Sequence, residues 1–346
     1  MTDNLTNRIK EIKAQLGDDL LILAHHYQKD EIVALADAIG DSLKLAQIAE
    51  KNKTAKYIVF CGVHFMAETA DILSEDYQKV LLPAPLAGCP MADMADRESA
   101  EIAWDIITKE LGDSIVPITY INSKAEVKAF CGVHGGTTVT SGNAEKVVKW
   151  GFSVKDKILF LPDQNLGANT AVSLGVDEQC LALYDQKTET LSYSCKPEEV
   201  KMILWNGYCH VHHRITTDMV DAARKSNPDA KIIVHPECKH EVVKKCDGTG
   251  STTYLIKAVE NAESGSKWVV GTEFNLVTRL QERFPDKDIK ILSTGSICMN
   301  MNKTTLENLC DTLEDILKGD FTKQVTVDKQ TAKEAIMSLD TMLSLS

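Results

Sequence analysis

Short runs rich in β-branched residues alternate with amphipathic helical stretches along nearly the whole chain. Buried strands are predicted at residues 20–24, 57–61, 115–119 and 231–234, with helical patterns between them. This alternation is typical of α/β proteins whose parallel strands are joined by helices. Because 346 residues leave room for two or three domains, the sequence predicts an α/β protein with parallel sheets.

Three of these units share a further construction, in which an apolar strand runs into a glycine-containing loop that delivers a cysteine. The cysteines are Cys89 in LLPAPLAGCPMADM, Cys209 in KMILWNGYCHVH and Cys298 in KILSTGSICMN. Pro90 suits the first turn of a helix, whose dipole favours a thiolate. A lone cysteine is more often a small buried hydrophobe, but the recurrence favours a common role for these three.

The spacing of polar strand ends and cysteines supports a repeat. His25 and Cys89 are 64 residues apart, and His235 and Cys298 are 63 apart. Tyr120 and Cys209 are 89 apart, and a helix plus a hairpin inserted near 164–196 explains the excess. A pseudo-threefold would bring the three cysteines to one point. The predicted units are 1–98 with an N-terminal helix, 99–200 with the insertion, 201–302, and a C-terminal helical segment, 303–346, packed back on the first unit.

Composition narrows the function classes. The formal charge of −12 makes nucleic acid an unsuitable partner. Neither an apolar run long enough for a membrane span nor the apolar core of a signal peptide is present, so a cytoplasmic protein without membrane contact is expected. Ten cysteines without secretory features indicate reduced thiols, some bound to metal.

Three converging thiolates without a fourth ligand suit two kinds of metal centre. One is an iron–sulfur cluster with an open iron, and the other is a catalytic zinc with bound water. The large sequence separation favours the cluster, whose open iron is a Lewis acid for a substrate hydroxyl or carboxylate. The other seven cysteines lack the strand-loop context and are interpreted mostly as core thiols: Cys61, Cys131, Cys180, Cys195, Cys238, Cys246 and Cys310.

Acid–base side chains follow one strand of each unit. They are His25 and Tyr27, Tyr120 and Asn122, and His235 and Glu237. The carboxyl ends of parallel strands are where α/β sheets bind ligands. The alternative is that these are ordinary strand-end polar groups bonded to loops, but their recurrence favours function.

Hydroxyl side chains stand at predicted helix starts in each unit: Ser42, Ser141 and the pair Ser251-Thr252. Each can present its hydroxyl and free backbone N–H groups to an anion. The alternative is simple N-capping, which is compatible with anion binding. The histidines at 210, 212 and 213 are interpreted as a polar loop beside Cys209.

A set of motifs resembles one known family over essentially the whole chain, that of quinolinate synthase. The motifs are LAHHYQ (23–28), GDS (40–42), LAGCPMADM (86–94), YINS (120–123), TSGNA (140–144), HPEC (235–238), GST (250–252) and Cys298. The resemblance implies a transferase of NAD biosynthesis that condenses iminoaspartate with dihydroxyacetone phosphate to quinolinate, with dehydration and loss of phosphate. It also implies three similar three-layer αβα domains related by a pseudo-threefold around one 4Fe-4S cluster. By resemblance Cys89, Cys209 and Cys298 hold that cluster, and one iron stays open.

The resemblance also implies roles for individual residues. Tyr27 and Glu237 fall on positions tied to proton transfer and enol handling, with His25, His235 and Tyr120 as further catalytic candidates. The enzyme that supplies iminoaspartate is a candidate partner. Iminoaspartate-contacting positions are His25, Ser42, Tyr120, Asn122, Ser141, His235, Glu237 and Thr252, and Ser251 is added as a substrate-binding candidate.

Two points stay open at the level of sequence. Some members of the family carry a second cysteine in a CxxC arrangement near Cys298, which SICMNMN lacks, so a redox switch of that kind is in doubt. The alternative function is a non-catalytic iron–sulfur sensor or electron-transfer protein, which would not need three strand-end acid–base sets. A zinc hydrolase using the same thiols would differ in its metal.

Overall fold

The structure, a computed structural model, describes residues 2–345 and contains three sheets. The first has the order β15-β4-β3-β1-β2, from β1 (Leu20–His25), β2 (Ala38–Gly40), β3 (Tyr57–Cys61), β4 (Lys79–Leu81) and β15 (Gln324–Val325). The second has the order β6-β5-β7-β10-β8-β9, from β5 (Ile115–Tyr120), β6 (Thr137–Val139), β7 (Lys157–Leu161), β8 (Leu181–Asp185), β9 (Thr190–Ser192) and β10 (Met202–Trp205). The third has the order β12-β11-β13-β14, from β11 (Lys231–Val234), β12 (Gly248–Thr249), β13 (Lys267–Gly271) and β14 (Asp288–Ile291).

Helices connect and cover the strands. In the first half they are α1 (Thr2–Leu16), α2 (Asp30–Val33), α3 (Ser42–Lys51), α4 (His64–Leu73), α5 (Arg97–Leu111), α6 (Ala125–Val133), α7 (Ala144–Val154) and α8 (Gln164–Ser173). In the second half they are α9 (His210–His213), α10 (Thr217–Ser226), α11 (His240–Val243), α12 (Thr252–Glu260), α13 (Phe274–Arg283), α14 (Leu306–Lys318) and α15 (Lys329–Ser344). Within residues 2–345, none of these helices has the length and apolar character that a bilayer span requires.

The same arrangement of four parallel strands recurs in all three sheets. When only the four recurring strands of each sheet are counted along the chain, their order in the sheet is fourth-third-first-second: β4-β3-β1-β2, β10-β7-β5-β6 and β14-β13-β11-β12. The edge strands β15 and β9 and the inserted strand β8 are additions to this pattern. The α/β class and the parallel sheets predicted from the alternating pattern are therefore confirmed.

Each sheet is buried on both faces. In β1, Ile22 and Ala24 pack into one hydrophobic cluster whereas Leu23 packs into another on the opposite face. The third sheet divides in the same way, because Ile232 and Ile233 of β11 belong to different clusters. Since successive side chains of a strand point to opposite faces, this burial gives three layers, with helices on both sides of each sheet.

The predicted start of the third unit at residue 201 is wrong. Strand β10 pairs in parallel with β7 and β8, so it is the fourth strand of the second sheet. The third sheet begins only with β11. The reason is that β8 and β9 fall between the third and fourth strands of the second sheet and shift β10 along the sequence.

The segment from 303 onward does not pack on the first unit alone. Helix α14 packs with α1 beside the first sheet, and β15 pairs antiparallel with β4. Helix α15 lies instead against α6, and its Ala335 and Leu339 are buried in a core cluster of the second sheet. A Cβ on Gly132 would lie 2.1 Å from the carbonyl oxygen of Glu334, so this close approach requires glycine.

Local features of the structure also go beyond the sequence analysis or differ from it. The short strands β2 and β12 are not among the predicted strands. The stretch after β11 contains only the four-residue helix α11. After Pro90 the chain forms a single 3-10 turn, Ala92–Met94, rather than an α-helix.

Contacts between the sheets follow a cycle. Arg279 of α13, in the third sheet's unit, donates to the carbonyl oxygens of His26 and Gln28, just after β1. Asn169 of α8, in the second, donates in the same way to the carbonyl oxygens of Pro236 and Cys238, after β11. In the remaining pair, Glu68 of α4 accepts from the N–H of Ala125, which follows β5. The helix after each third strand thus holds the turn after a first strand of another unit.

Candidate active site

One pocket lies where the carboxyl ends of the strands of all three sheets meet, and it encloses about 730 Å³ including the part open to solvent. This size is ordinary for a small-molecule site. The pocket brings together twelve of the predicted site residues: Cys89, Cys209, Cys298, His25, Tyr27, Ser42, Tyr120, Asn122, Ser141, His235, Glu237 and Thr252. Ser251 is the exception, because it lines an adjacent pocket and its Oγ accepts the Tyr254 N–H as the cap of α12.

Each sheet contributes to the pocket from the same strand ends. The first strand leads to the acid–base side chains, the second to a hydroxyl near the start of a helix, and the fourth to a cysteine. The recurring strand order therefore explains why the sequence motifs recur. It also explains why residues more than 250 positions apart meet in one pocket, because every sheet turns the same edge toward it.

The three cysteines form the thiol side of the pocket. Burial raises the pKa of Cys89 to about 12 and that of Cys298 to about 11, and it raises the pKa of Cys209 well above the ordinary value. The neighbouring Cys89 and Cys298 thiols raise the pKa of Cys209 further. Three soft donors that disfavour one another's ionisation suit a cationic centre, which would replace their protons on binding.

Buried carboxyl groups hold two of the cysteine loops in place. Asp163 Oδ2 accepts the backbone N–H of Cys209 at 3.1 Å, and Glu273 Oε1 accepts that of Cys298 at 3.2 Å. Both acidic residues follow the third strand of their sheet, and burial raises the pKa of Glu273 to about 7. The sequence analysis assigned no role to either residue, although an acidic residue directly after a buried strand was the available signal.

A chain of hydrogen bonds links Glu237 to Tyr27 inside the pocket wall. His212 Nδ1 lies 2.7 Å from Glu237 Oε2, and His212 Nε2 lies 3.1 Å from Thr272 Oγ1. Thr272 Oγ1 lies 3.0 Å from the Tyr27 hydroxyl. The interpretation of His212 as part of a polar loop is wrong, because its side chain is buried and takes part in these hydrogen bonds. The sequence analysis singled out neither His212 nor Thr272 as a member of the pocket wall.

The hydrogen bonds of His212 also bear on whether its ring can bind a metal ion. Cys209, His212 and Glu237 offer ligand atoms that lie within 4.8 Å of one another. Both ring nitrogens of His212 are already engaged, one by Glu237 and the other by Thr272. We therefore group Cys209 with the other two thiols, and we interpret His212 and Glu237 as a hydrogen-bonded pair next to it.

Burial and neighbouring charges shift the pKa values of the pocket's acidic groups in opposite directions. Burial, with the nearby Glu237 charge, raises the pKa of Tyr27 and Tyr120 well above the ordinary value, so both phenols stay protonated. Burial also opposes ionisation of Glu237, but the adjacent His212 ring and the hydrogen bonds from His212 and Tyr120 hold its pKa below the ordinary range. The pocket thus pairs a carboxylate with two neutral phenols.

His25 and His235 are neutral hydrogen-bond donors. Burial lowers the pKa of His235 to about 3 and that of His25 well below its ordinary value. In both rings Nδ1 accepts a backbone N–H two residues on, from Tyr27 at 3.1 Å and from Glu237 at 3.3 Å. The proton of each neutral ring must then reside on Nε2, which can donate to a bound carboxylate.

The remaining polar groups complete a ligand-binding surface. Asp41, whose carboxylate accepts the Lys44 N–H at 3.0 Å, caps α3, so the neighbouring Ser42 hydroxyl is not used as the cap. Ser141 hydrogen-bonds the Tyr120 hydroxyl. Asn122 Oδ1 is buried and has no hydrogen-bond partner among the residues of the described chain. A buried acceptor of this kind indicates a missing donor, such as the N–H of a bound ligand.

Comparisons with known proteins point to one family. The family model described as NadA: Quinolinate synthetase A protein matches residues 7–344. Curated proteins named quinolinate synthase from Bacillus anthracis and Bacillus cereus are each 51% identical over 343 residues, which is 99% of this chain and 93% of theirs. The one from Anoxybacillus flavithermus is 51% identical over 99% of this chain and 94% of its own. The resemblance predicted from the motifs is therefore confirmed.

Proposed function

The chain belongs to the quinolinate synthetase A protein family, and on that premise we propose that it condenses iminoaspartate with dihydroxyacetone phosphate to give quinolinate, phosphate and water. This reaction belongs to de novo NAD biosynthesis, and we assign it to the cytoplasm. The observation that carries the proposal is that three thiols and a buried acid–base chain face the same pocket.

The donor set of the pocket fits an iron–sulfur cluster. Cys89, Cys209 and Cys298 would hold one 4Fe-4S cluster per chain. With only three cysteine ligands, the bound cluster would supply one open iron, a Lewis acid for a substrate hydroxyl or carboxylate. The cyclic contacts between units and the shared strand order support a pseudo-threefold arrangement around this point.

Uncharged donors would bind the dicarboxylic substrate. His25 and His235 offer Nε2–H groups, and Ser42, Ser141 and Thr252 offer hydroxyls, all within the pocket. Unlike a buried lysine or arginine, a neutral donor does not leave an unpaired charge in the pocket when no carboxylate is bound. The free Oδ1 of Asn122 would accept the N–H of the substrate nitrogen, which gives the site a means of orienting iminoaspartate.

The buried chain would move protons during condensation and dehydration. Glu237, held as a carboxylate, would accept a proton from a substrate carbon or hydroxyl, whereas the protonated Tyr27 would donate one to a departing hydroxyl. His212 and Thr272 connect the two residues through continuous hydrogen bonds. A proton gained at Glu237 can thus return to Tyr27 without passing through solvent.

A product assay distinguishes the proposed enzyme from the alternative, a non-catalytic iron–sulfur sensor or electron-transfer protein. Protein loaded with iron and sulfide under anaerobic conditions is mixed with dihydroxyacetone phosphate and iminoaspartate made in the same vessel. We expect quinolinate and phosphate in equal amounts, and neither without dihydroxyacetone phosphate. A fully loaded protein that forms no quinolinate would support the alternative. Iron and sulfide analysis of the same sample distinguishes the cluster from a zinc site.

Iminoaspartate also points to a partner. An imine in water hydrolyses, so its use by a second enzyme favours direct delivery. We therefore propose that the enzyme supplying iminoaspartate works beside this protein. Adding that enzyme should raise the quinolinate yield above the yield from an equal flux of chemically generated imine.

A further inference from the structure

Two cysteines outside the pocket flank the inserted hairpin, and their thiols are in contact. Strand β8 pairs antiparallel with β9, with Leu183 opposite Ser192 and Asp185 opposite Thr190. Cys180 ends the 3-10 turn Glu178–Cys180 directly before β8, and Cys195 lies three residues after β9. Partial burial and a hydrogen-bond contact with the Cys195 thiol raise the pKa of Cys180.

The contact between the two thiols suits a covalent bond between their sulfurs. The hairpin of β8 and β9 brings its two flanks together, and the Cys180 and Cys195 side chains on these flanks are already in hydrogen-bond contact. A disulfide joins residues whose Cα atoms lie about 4.4–6.8 Å apart, so a bond between Cys180 and Cys195 requires only a local approach of the two sulfur atoms.

Both thiols are also reachable from solvent. Cys180 and Cys195 are half-buried, whereas Cys61, Cys131 and Cys238 are fully buried. A small oxidant can therefore contact the pair without any opening of the fold.

We propose that Cys180 and Cys195 are a reversible modification site that forms a disulfide by exchange with a low-molecular-weight disulfide such as oxidised glutathione. One protein thiolate attacks the small disulfide, forms a mixed disulfide and releases one small thiol. The second protein thiolate then attacks the protein sulfur of the mixed disulfide and releases the other small thiol. The two protein thiols give up two protons and two electrons, and the small disulfide is reduced to two thiols.

The pair acts at a distance from the pocket. Cys180 immediately precedes β8, whereas the carboxyl end of β8 supports the loop that delivers Cys209, through the bond from the Asn206 N–H to the Tyr184 carbonyl oxygen. The disulfide would therefore fix the edge strand β9 at the end of the sheet remote from Cys209. The proposal does not depend on the function of the pocket.

The test follows the linked peptide by mass spectrometry. The protein carrying its cofactor is equilibrated anaerobically in buffers with graded ratios of reduced to oxidised glutathione, and free thiols are then blocked with N-ethylmaleimide. Digestion without reduction should yield one peptide pair joined through Cys180 and Cys195. Its share should rise with oxidised glutathione and fall again when reduced glutathione is restored.

Two variants sharpen the result. Cys180→Ser should abolish the linked peptide and leave Cys195 as a mixed disulfide with glutathione. Cys246→Ser removes a half-buried thiol that donates to the Val242 carbonyl oxygen at 3.2 Å, and it should leave the linked peptide unchanged. If Cys180 and Cys195 carry N-ethylmaleimide or separate glutathione molecules at every ratio in the wild type, the proposal is overturned.

Discussion

The Nδ1 atom of His212 lies 2.7 Å from the Oε2 atom of Glu237, and the two side chains are only 1% and 3% exposed. A pair buried this deeply contributes little net stability compared with apolar packing, and removing one partner leaves the other unpaired. In the proposed function, the pair forms the first part of the hydrogen-bond chain that leads to Tyr27. The pair joins the second and third sheets' contributions to the pocket.

His212→Gln should slow turnover while leaving the cluster in place. The imidazole is the bridge between Glu237 and Thr272, so its loss interrupts the proton path, and a fall of about a hundredfold is the usual scale for an acid–base group. The matched control is His213→Gln, because His213 stacks on Tyr208 outside the chain of hydrogen bonds. Quinolinate formation and iron content are measured for both. An equal loss of turnover in the two variants would contradict a specific role of the His212 imidazole in proton transfer.

Tyr27→Phe and Glu237→Gln should each keep the cluster and lose at least about a hundredfold in turnover. The first change removes the phenol at one end of the chain, and the second removes the carboxylate at the other. Glu241→Gln, four residues farther along and exposed, serves as the control and should behave like the wild type. Turnover like that of the wild type in Glu237→Gln would mean that its carboxylate is structural.

Replacing Cys89, Cys209 or Cys298 singly by Ala should remove most of the bound iron, because each change leaves a second iron without its protein ligand. Cys180→Ala and Cys310→Ala should retain it, because neither residue lines the pocket. Iron and sulfide per chain are measured after anaerobic loading. Full iron retention in any of the three pocket variants would contradict the ligand assignment.

Lys128 predicts a pH dependence of stability that is separate from the pocket. Its side chain is fully buried, and burial lowers its pKa from 10.5 to about 8. Between pH 8 and 10.5 the unfolded chain binds a proton that the folded chain has released, so stability rises with pH in this window. Between pH 8 and 10.5, the free energy of unfolding of the wild type should rise by up to about 3 kcal/mol relative to that of Lys128→Met.

Denaturant unfolding at several pH values checks this expectation. The exposed Lys149 of α7 supplies the control, because Lys149→Met should follow the pH profile of the wild type. Parallel profiles for Lys128→Met and the wild type would show that the Lys128 charge is not destabilised in the fold.

Many residues of the pocket could be predicted because their side chains follow strand ends, and the same pattern of strand ends recurs along the sequence. Cys89, Cys209 and Cys298 each follow the fourth strand of a sheet, so the common strand-loop-cysteine pattern marked them. His212 could not be found in this way. Its role comes from contacts with Glu237 and Thr272, which follow different strands and meet it only in the folded chain.

The errors in the fold have equally local causes. Strands β2 and β12 are two or three residues long and end beside helix caps, so they leave no hydrophobic run to detect. The predicted unit boundary at residue 201 falls before β10, although β10 pairs with β7 and β8 in the second sheet. The hairpin of β8 and β9 was predicted as an insertion, but the strand that follows it was assigned to the next unit. The site of α15 on α6 depends on the close backbone approach at Gly132, which periodicity does not reveal.

The claim on which the whole account depends is that substrate binds in the same pocket as the cluster, at an iron that the three cysteines leave open. Anaerobic, cluster-loaded protein is titrated with a pyridine dicarboxylate that can chelate through its ring nitrogen and one carboxylate, and with an isomer that cannot. We predict that the chelating isomer alone changes the absorption spectrum of the cluster and inhibits quinolinate formation. Identical spectra and identical inhibition with the two isomers would contradict an open, substrate-binding iron.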